Sequence, residues 1–131
     1  MEIQKSYTRL LVSDLEACFL FYRDLMEFKV TLEDLNEGYA EFAVADMKLS
    51  LFRRQEMAEM IGNAQKPHNV EGQDRVVLIF TVPDLDKAYQ QLRHRGIKFT
   101  TEPLNNPYYG LKTAYFRDPD GTLIGLFQTM L

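Results

Sequence analysis

Two segments of the chain, Leu11-Val12-Ser13-Asp14-Leu15 and Thr81-Val82-Pro83-Asp84-Leu85, stand 70 positions apart and read alike. Each closes an extended apolar run and opens a helical one. A second match, Leu49-Ser50-Leu51-Phe52 with Ile124-Gly125-Leu126-Phe127, lies at an offset of 75. Growth of the offset between the two matches is what a loop insertion inside a duplicated unit produces, because surface loops tolerate extra residues. A duplicated half can share a cavity with its copy, so equivalent inward positions become comparable once the repeat is aligned.

The elements follow from local pattern. Residues Ser6 to Val12 alternate, which predicts a strand with Leu10 and Val12 on one face and Tyr7, Arg9 and Leu11 on the other. Ser13 and Glu16 have the spacing of a capping box, and Leu15, Cys18, Phe19, Tyr22, Leu25 and Met26 form one helical stripe expected to pack on the Leu10/Val12 face. Three apolar runs follow, 28–32, 38–44 and 48–52, separated by turn residues at Asn36-Glu37-Gly38 and Asp46. The first repeat, 1–52, is therefore β-α-β-β-β. A polar linker, 53–74, holds at most a short helix over 55–61.

The second repeat, 75–131, has the same order. A strand over 75–82 leads to a helix that starts at Pro83-Asp84, carries Leu85, Ala88, Tyr89 and Leu92, and stops at Gly96. Strands are expected at 97–100 and 111–117, with a loop over 102–110. Asp118-Pro119-Asp120-Gly121 is a turn that returns the chain into a strand over 122–128. The fold class is α+β, two β-α-β-β-β repeats forming curved four-stranded half-barrels around a cavity.

At 131 residues and 46% apolar content the chain is one domain able to bury a core. Its single cysteine, Cys18, has no partner for an internal disulfide and sits in an apolar helical stripe as a small hydrophobe. A net charge of −4 disfavours a nucleic-acid partner. The basic group Arg93-His94-Arg95 with Lys98 complements a helix C-terminus instead. No run approaches a membrane span, and the first residues lack a signal-peptide core, so a cytoplasmic protein is expected.

The segments Val12-Ser13-Asp14-Leu15-Glu16, Phe21-Tyr22-Arg23-Asp24-Leu25-Met26-Glu27-Phe28 and Phe116-Arg117-Asp118-Pro119-Asp120-Gly121-Thr122-Leu123-Ile124, on this repeated frame, resemble the vicinal-oxygen-chelate superfamily. That superfamily is also called the glyoxalase, bleomycin-resistance and extradiol-dioxygenase superfamily. One departure is Met26-Glu27-Phe28, where the family commonly has Leu-Gly-Phe; it affects a turn rather than the site. In metal-dependent members, the resemblance implies, ligands come from the first and last strands of each repeat. Those positions map to Tyr7, Val77, Ser50 and Gly125, which offer no good set of divalent-metal donors. Nor do the histidines replace them: His68 falls in the linker and His94 near a helix end, both read as solvated surface. No metal and no other cofactor is expected.

What remains is the lining. Alternation places Tyr7, Arg9 and Leu11 on one inner wall, Val77, Ile79 and Thr81 on its counterpart, and Ser50, Phe52, Gly125 and Phe127 on the last strands. Tyr115, Thr113 and Glu41 join if the hairpin register permits, since a slip of one residue reverses every face. Tyr108 and Tyr109 are either a loop closing over a ligand or edge packing. Arg9, costly to bury alone, either pairs with Glu41 or another acid, lies exposed at the cavity mouth, or orients an acidic or carbonyl-bearing ligand.

The leading expectation is a metal-independent small-molecule binding protein, its ligand an aromatic or cationic drug or a metabolite. By resemblance to the antibiotic-binding branch, the partner is a second copy in a homodimer. The alternatives are a lyase, isomerase or dioxygenase-like enzyme using non-standard residues such as Tyr7, Arg9 and Glu41, and a regulatory domain with a vestigial cavity.

Overall fold

A computed structural model describes residues 1–67 and 72–130 of the chain. His68 lies outside the described residues. The chain divides into two compact units, Met1–Val70 and Glu71–Leu131, each built on a four-stranded unclosed sheet.

In the first unit β1 (Thr8–Val12) is followed by α1 (Leu15–Leu20), β2 (Lys29–Asp34), β3 (Tyr39–Val44) and β4 (Met47–Arg53), in spatial order β1-β4-β3-β2. β1 runs parallel to β4, and the other pairs are antiparallel. The side chains of Val12, Leu49, Leu51, Ala40 and Phe42 are fully buried on one sheet face, under Leu15, Cys18, Phe19 and Tyr22 of the helical segment. Phe42 is the hub of this core: its ring lies 5.6 Å from Phe19, 6.0 Å from Tyr22 and 6.4 Å from Phe28, so truncation there would cost about 3–5 kcal/mol.

The helical segment departs from the expected pattern at its C-terminal end. Its cap is Asp14, whose Oδ1 accepts from Ala17 N at 3.0 Å. After Leu20 the backbone widens to a π turn over Phe21–Leu25, with Met26 N donating to Phe21 O at 3.1 Å. A wider turn rotates each later residue less about the axis. Phe21, at the start of this turn, is buried, and Leu25 and Met26 after it are half-buried rather than central to the stripe.

The supposed linker begins as structure of the first unit. α2 (Arg54–Met60) follows β4 without a break, and Arg53 Nη2 donates to Leu35 O at 2.7 Å while Nη1 holds Glu56 at 3.1 Å. These contacts tie the helix start to the turn before β3.

In the second unit β5 (Val77–Thr81), α3 (Leu85–His94), β6 (Leu104–Asn106), β7 (Leu111–Arg117) and β8 (Leu123–Thr129) repeat the plan, in spatial order β5-β8-β7-β6. The α3 cap reproduces that of α1: Asp84 accepts from Lys87 N at 3.1 Å. Gly96 ends the helical region at φ +95°, a conformation that L side chains rarely adopt. Asp118 is buried and its Oδ1 accepts from Asp120 N and Thr122 N, both at 2.9 Å, which closes the turn between β7 and β8.

One strand is misplaced by the sequence reading. Residues 97–100 make a single bridge, Phe99 to Phe116, while the third strand is β6, inside the segment expected to be loop. Ile97 is buried and Phe99 packs 4.5 Å from Tyr89 and 5.0 Å from Phe116, so the apolar alternation there reports core packing. Leu104-Asn105-Asn106 has no such alternation. It forms a strand because β7 presents backbone donors and acceptors along its edge that require partners.

Candidate functional site

Each sheet has a second face, opposite its helix, and the strand registers decide which side chains it presents. In the first unit Arg9 lies opposite Ser50, and Ser50 opposite Glu41; Leu11 lies opposite Phe52, and Phe52 opposite Tyr39. Residues directly opposite share a face, so Arg9, Ser50 and Glu41 form one row and Leu11, Phe52 and Tyr39 the next. Tyr7 precedes β1 rather than lying in it, and its side chain is 51% exposed.

In the second unit Ile79 lies opposite Gly125, and Gly125 opposite Tyr115; Thr81 lies opposite Phe127, and Phe127 opposite Thr113. Tyr115 and Thr113 thus share the face of Gly125 and Phe127, and Glu41 shares that of Ser50. The registers also place Ile79–Gly125 where the first unit has Arg9–Ser50, which are the same offsets read from the repeat. The duplicated frame is common to both units. Its chemistry is not: one row is cation, hydroxyl and carboxylate, the other aliphatic, glycine and phenol.

Arg9 is exposed and not paired with Glu41. Its Nε donates to Ser50 Oγ at 3.3 Å, and its guanidinium carbon lies 5.3 Å from the Tyr39 ring centre and 5.2 Å from that of Phe52. Glu41 is engaged elsewhere: it accepts from Thr31 at 3.0 Å and from Tyr39 OH at 3.3 Å, and Lys48 lies 3.9 Å away. Thr31 reaches it because the β2 register shifts between Val30 and Leu32.

The remaining predicted positions scatter. Val77 and Ile79 are 37% and 49% exposed on β5, an edge of the second sheet. Tyr109 sits in the turn between β6 and β7, 68% exposed, edge-on to Tyr108 with ring centres 4.8 Å apart. His94 is exposed in the last turn of α3, where a cation complements the helix dipole.

Three of the positions that the family resemblance implies for metal ligands, Ser50, Gly125 and Val77, do not fit a divalent ion. Ser50 Oγ receives a cationic guanidinium N–H, which opposes a second cation at the same oxygen. At Gly125 a Cβ would meet Tyr115 Cε1 at 2.9 Å and Phe127 Cε1 at 3.0 Å, so rings occupy the space a ligand side chain needs. Val77 has no donor atom. Among the described residues, no three His, Cys, Asp or Glu side chains converge to hold a metal.

Two clefts lie away from the predicted lining. One, of about 190 Å³, is lined by Val12, Ser13, Arg53, Arg54 and Gln55 at the ends of β1 and β4. The other, of about 500 Å³, lies beyond α3 against Tyr89, Arg93, Lys98 and Phe99. Neither was signalled by sequence, because each joins segments with no shared pattern. Among the described residues no helix is long and apolar enough to cross a membrane.

Comparison with known proteins agrees with the geometry. The Bacillus subtilis (strain 168) protein YraH, uncharacterized, is 33% identical over 122 residues, 93% of this chain and 95% of its own. A crystal structure of a glyoxalase/bleomycin resistance protein/dioxygenase from Nocardioides superposes with a TM-score of 0.78 at 25% identity, covering 99% of this chain and 87% of that one. The lactoylglutathione lyase of Agrobacterium tumefaciens has the same fold, with a TM-score of 0.74 at 24% identity over 97% of this chain and 94% of its own. The family model Glyoxalase/Bleomycin resistance protein/Dioxygenase superfamily matches residues 5–126, and the chain belongs to that superfamily.

Proposed function

We propose that this chain binds a small organic ligand on the open faces of its sheets without a divalent ion. The observation that carries the reading is the state of the family's ligand positions: Ser50 is bonded to Arg9, and the Gly125 position is roofed by the rings of Tyr115 and Phe127. Surfaces of this kind hold ligands by apolar burial, with a few polar groups setting orientation. A homodimer belongs to the same reading. Its support is the exposed apolar area at Leu11, Leu32, Val77 and Ile79.

The test combines metal analysis of purified protein with a thermal-shift screen of aromatic cations, aromatic acids and α-keto acids, repeated with chelator. Ligand-dependent stabilisation that survives chelation is expected, because a ligand selective for the folded state raises apparent stability. One tightly held equivalent of divalent metal, or loss of binding on chelation, would overturn the proposal. Solution mass by light scattering tests the dimer.

An enzymatic reading finds support in one place. Glu41 is a carboxylate only 15% exposed, hydrogen-bonded by Tyr39 and Thr31 in the same row as Ser50 and Arg9, a placement suited to moving a proton. Glu41→Gln separates the readings: it abolishes turnover in an acid–base enzyme and leaves ligand affinity within a few-fold in a binding protein.

A further inference from the structure

We infer that Arg9 is a receptor for the carboxylate of a planar organic acid, an inference that rests on the binding role proposed above and narrows its ligand class. The guanidinium is positioned without being neutralised. Ser50, fully buried in the central strand β4, takes its Nε–H at 3.3 Å, and the rings of Tyr39 and Phe52 lie 5.3 and 5.2 Å from Cζ. No acid among the described residues lies within ion-pair distance of it, since the neighbouring Glu41 is held by Thr31, Tyr39 and Lys48. With Nε committed, the two terminal nitrogens remain as a planar fork of donors, the complement of a carboxylate.

The duplication removes a purely structural explanation. At the same register point of the second sheet stands Ile79 opposite Gly125, so the fold has no need of a cation there. What Arg9 adds is chemical. Tyr7 and Leu11 flank it along the chain, 51% and 39% exposed, and offer apolar area to the rest of the ligand. A carboxylate is preferred over a phosphate because the other strand cations on this face, Lys48 and Lys29, stand in the next row, on either side of Ala43, and Lys48 lies 3.9 Å from Glu41, so Arg9 is the one cation in its own row.

The experiment uses the full chain labelled with ¹⁵N and titrated with benzoate, the neutral isostere benzamide, and phenyl phosphate. Benzoate is expected to shift the Arg9 Nε–H and the backbone amides of Ser50 and Phe52, with benzamide at least tenfold weaker. Arg9→Met, which keeps the length of an exposed side chain, should cut benzoate affinity at least tenfold and leave benzamide unchanged. Arg9→Lys should recover only part of the loss, since an ammonium lacks the fork. Equal affinity for benzoate and benzamide, benzoate binding unaltered in Arg9→Met, or phenyl phosphate bound tenfold tighter than benzoate would each overturn the assignment. Shifts on this face without charge selectivity leave the binding role standing and remove Arg9 from it. Absence of shifts on either sheet from any probe, while the thermal-shift screen finds a ligand whose shifts map elsewhere, removes both.

Discussion

Gly125→Ala tests whether this glycine is present for space rather than for backbone conformation. Gly125 lies in β8, between β5 and β7, and is buried; its φ is outside the left-handed region, so an alanine meets no backbone strain. In open space the change would stabilise by roughly 0.5–1 kcal/mol, because the unfolded chain loses freedom. Here the added methyl would meet Tyr115 Cε1 at 2.9 Å, Phe127 Cε1 at 3.0 Å and Tyr115 Cδ1 at 3.2 Å. All three are ring carbons held in a T-shaped pair with centres 6.0 Å apart, so relief requires rotating a ring. Overpacking of this kind costs about 1–3 kcal/mol. The net expectation is a loss of about 1 kcal/mol, or roughly 4 °C in melting temperature. Urea denaturation followed by circular dichroism measures it, in wild-type and Tyr115→Ala backgrounds. Since Tyr115 supplies two of the three contacts, the Gly125→Ala cost should fall to within about 0.5 kcal/mol of zero when that ring is absent. Stabilisation by Gly125→Ala in the wild-type background, or an equal cost in both, would refute the reasoning. Restoring a metal-binding side chain at 125 alone should cost more than alanine for the same reason.

Three further outcomes are expected. Glu27 holds φ at +58°, the position where the family commonly has glycine, so Glu27→Gly should be more stable than Glu27→Ala by about 1 kcal/mol, read as the difference between their thermal midpoints. Asp14→Ala should cost about 1 kcal/mol, because its side chain accepts the cap hydrogen bond from Ala17 N; chemical denaturation against wild type measures the loss. Asp74 is held below the usual carboxylate range by the Arg117 guanidinium, which donates to both its oxygens at 2.7 Å. A depressed folded-state value means the unfolded chain binds the proton more readily. The stability Asp74 contributes is therefore present above the unfolded carboxylate value near 3.8 and disappears as pH falls through the lower folded one. Denaturation midpoints of wild type and Asp74→Asn should accordingly differ at neutral pH and converge in acid, with the difference reduced by salt.

Much of the frame was legible because its signals are local. Aspartates 70 residues apart cap equivalent helices, Asp118-Pro119-Asp120-Gly121 closes the expected turn, and both offsets of the repeat reappear as strand register. Period-two alternation correctly assigned the faces of Arg9, Phe52, Ile79 and Phe127. It failed at residues 97–100 and 104–106, where core packing imitates a strand and a strand carries no apolar pattern. The π turn after Leu20 was also invisible, since the same apolar spacing fits either winding.

Sequence alone thus determined the duplicated β-α-β-β-β plan, the superfamily and the chemical poverty of its metal positions, all of which depend on residue identity and short-range order. Only the tertiary structure decided what surrounds those positions. Ser50 meets Arg9 across 41 residues, Glu41 is claimed by Thr31 through a bulge, and Tyr115 fills the space left by Gly125. Such contacts arise from pairing between strands distant in the chain, where a slip of one residue would send each side chain to the other face.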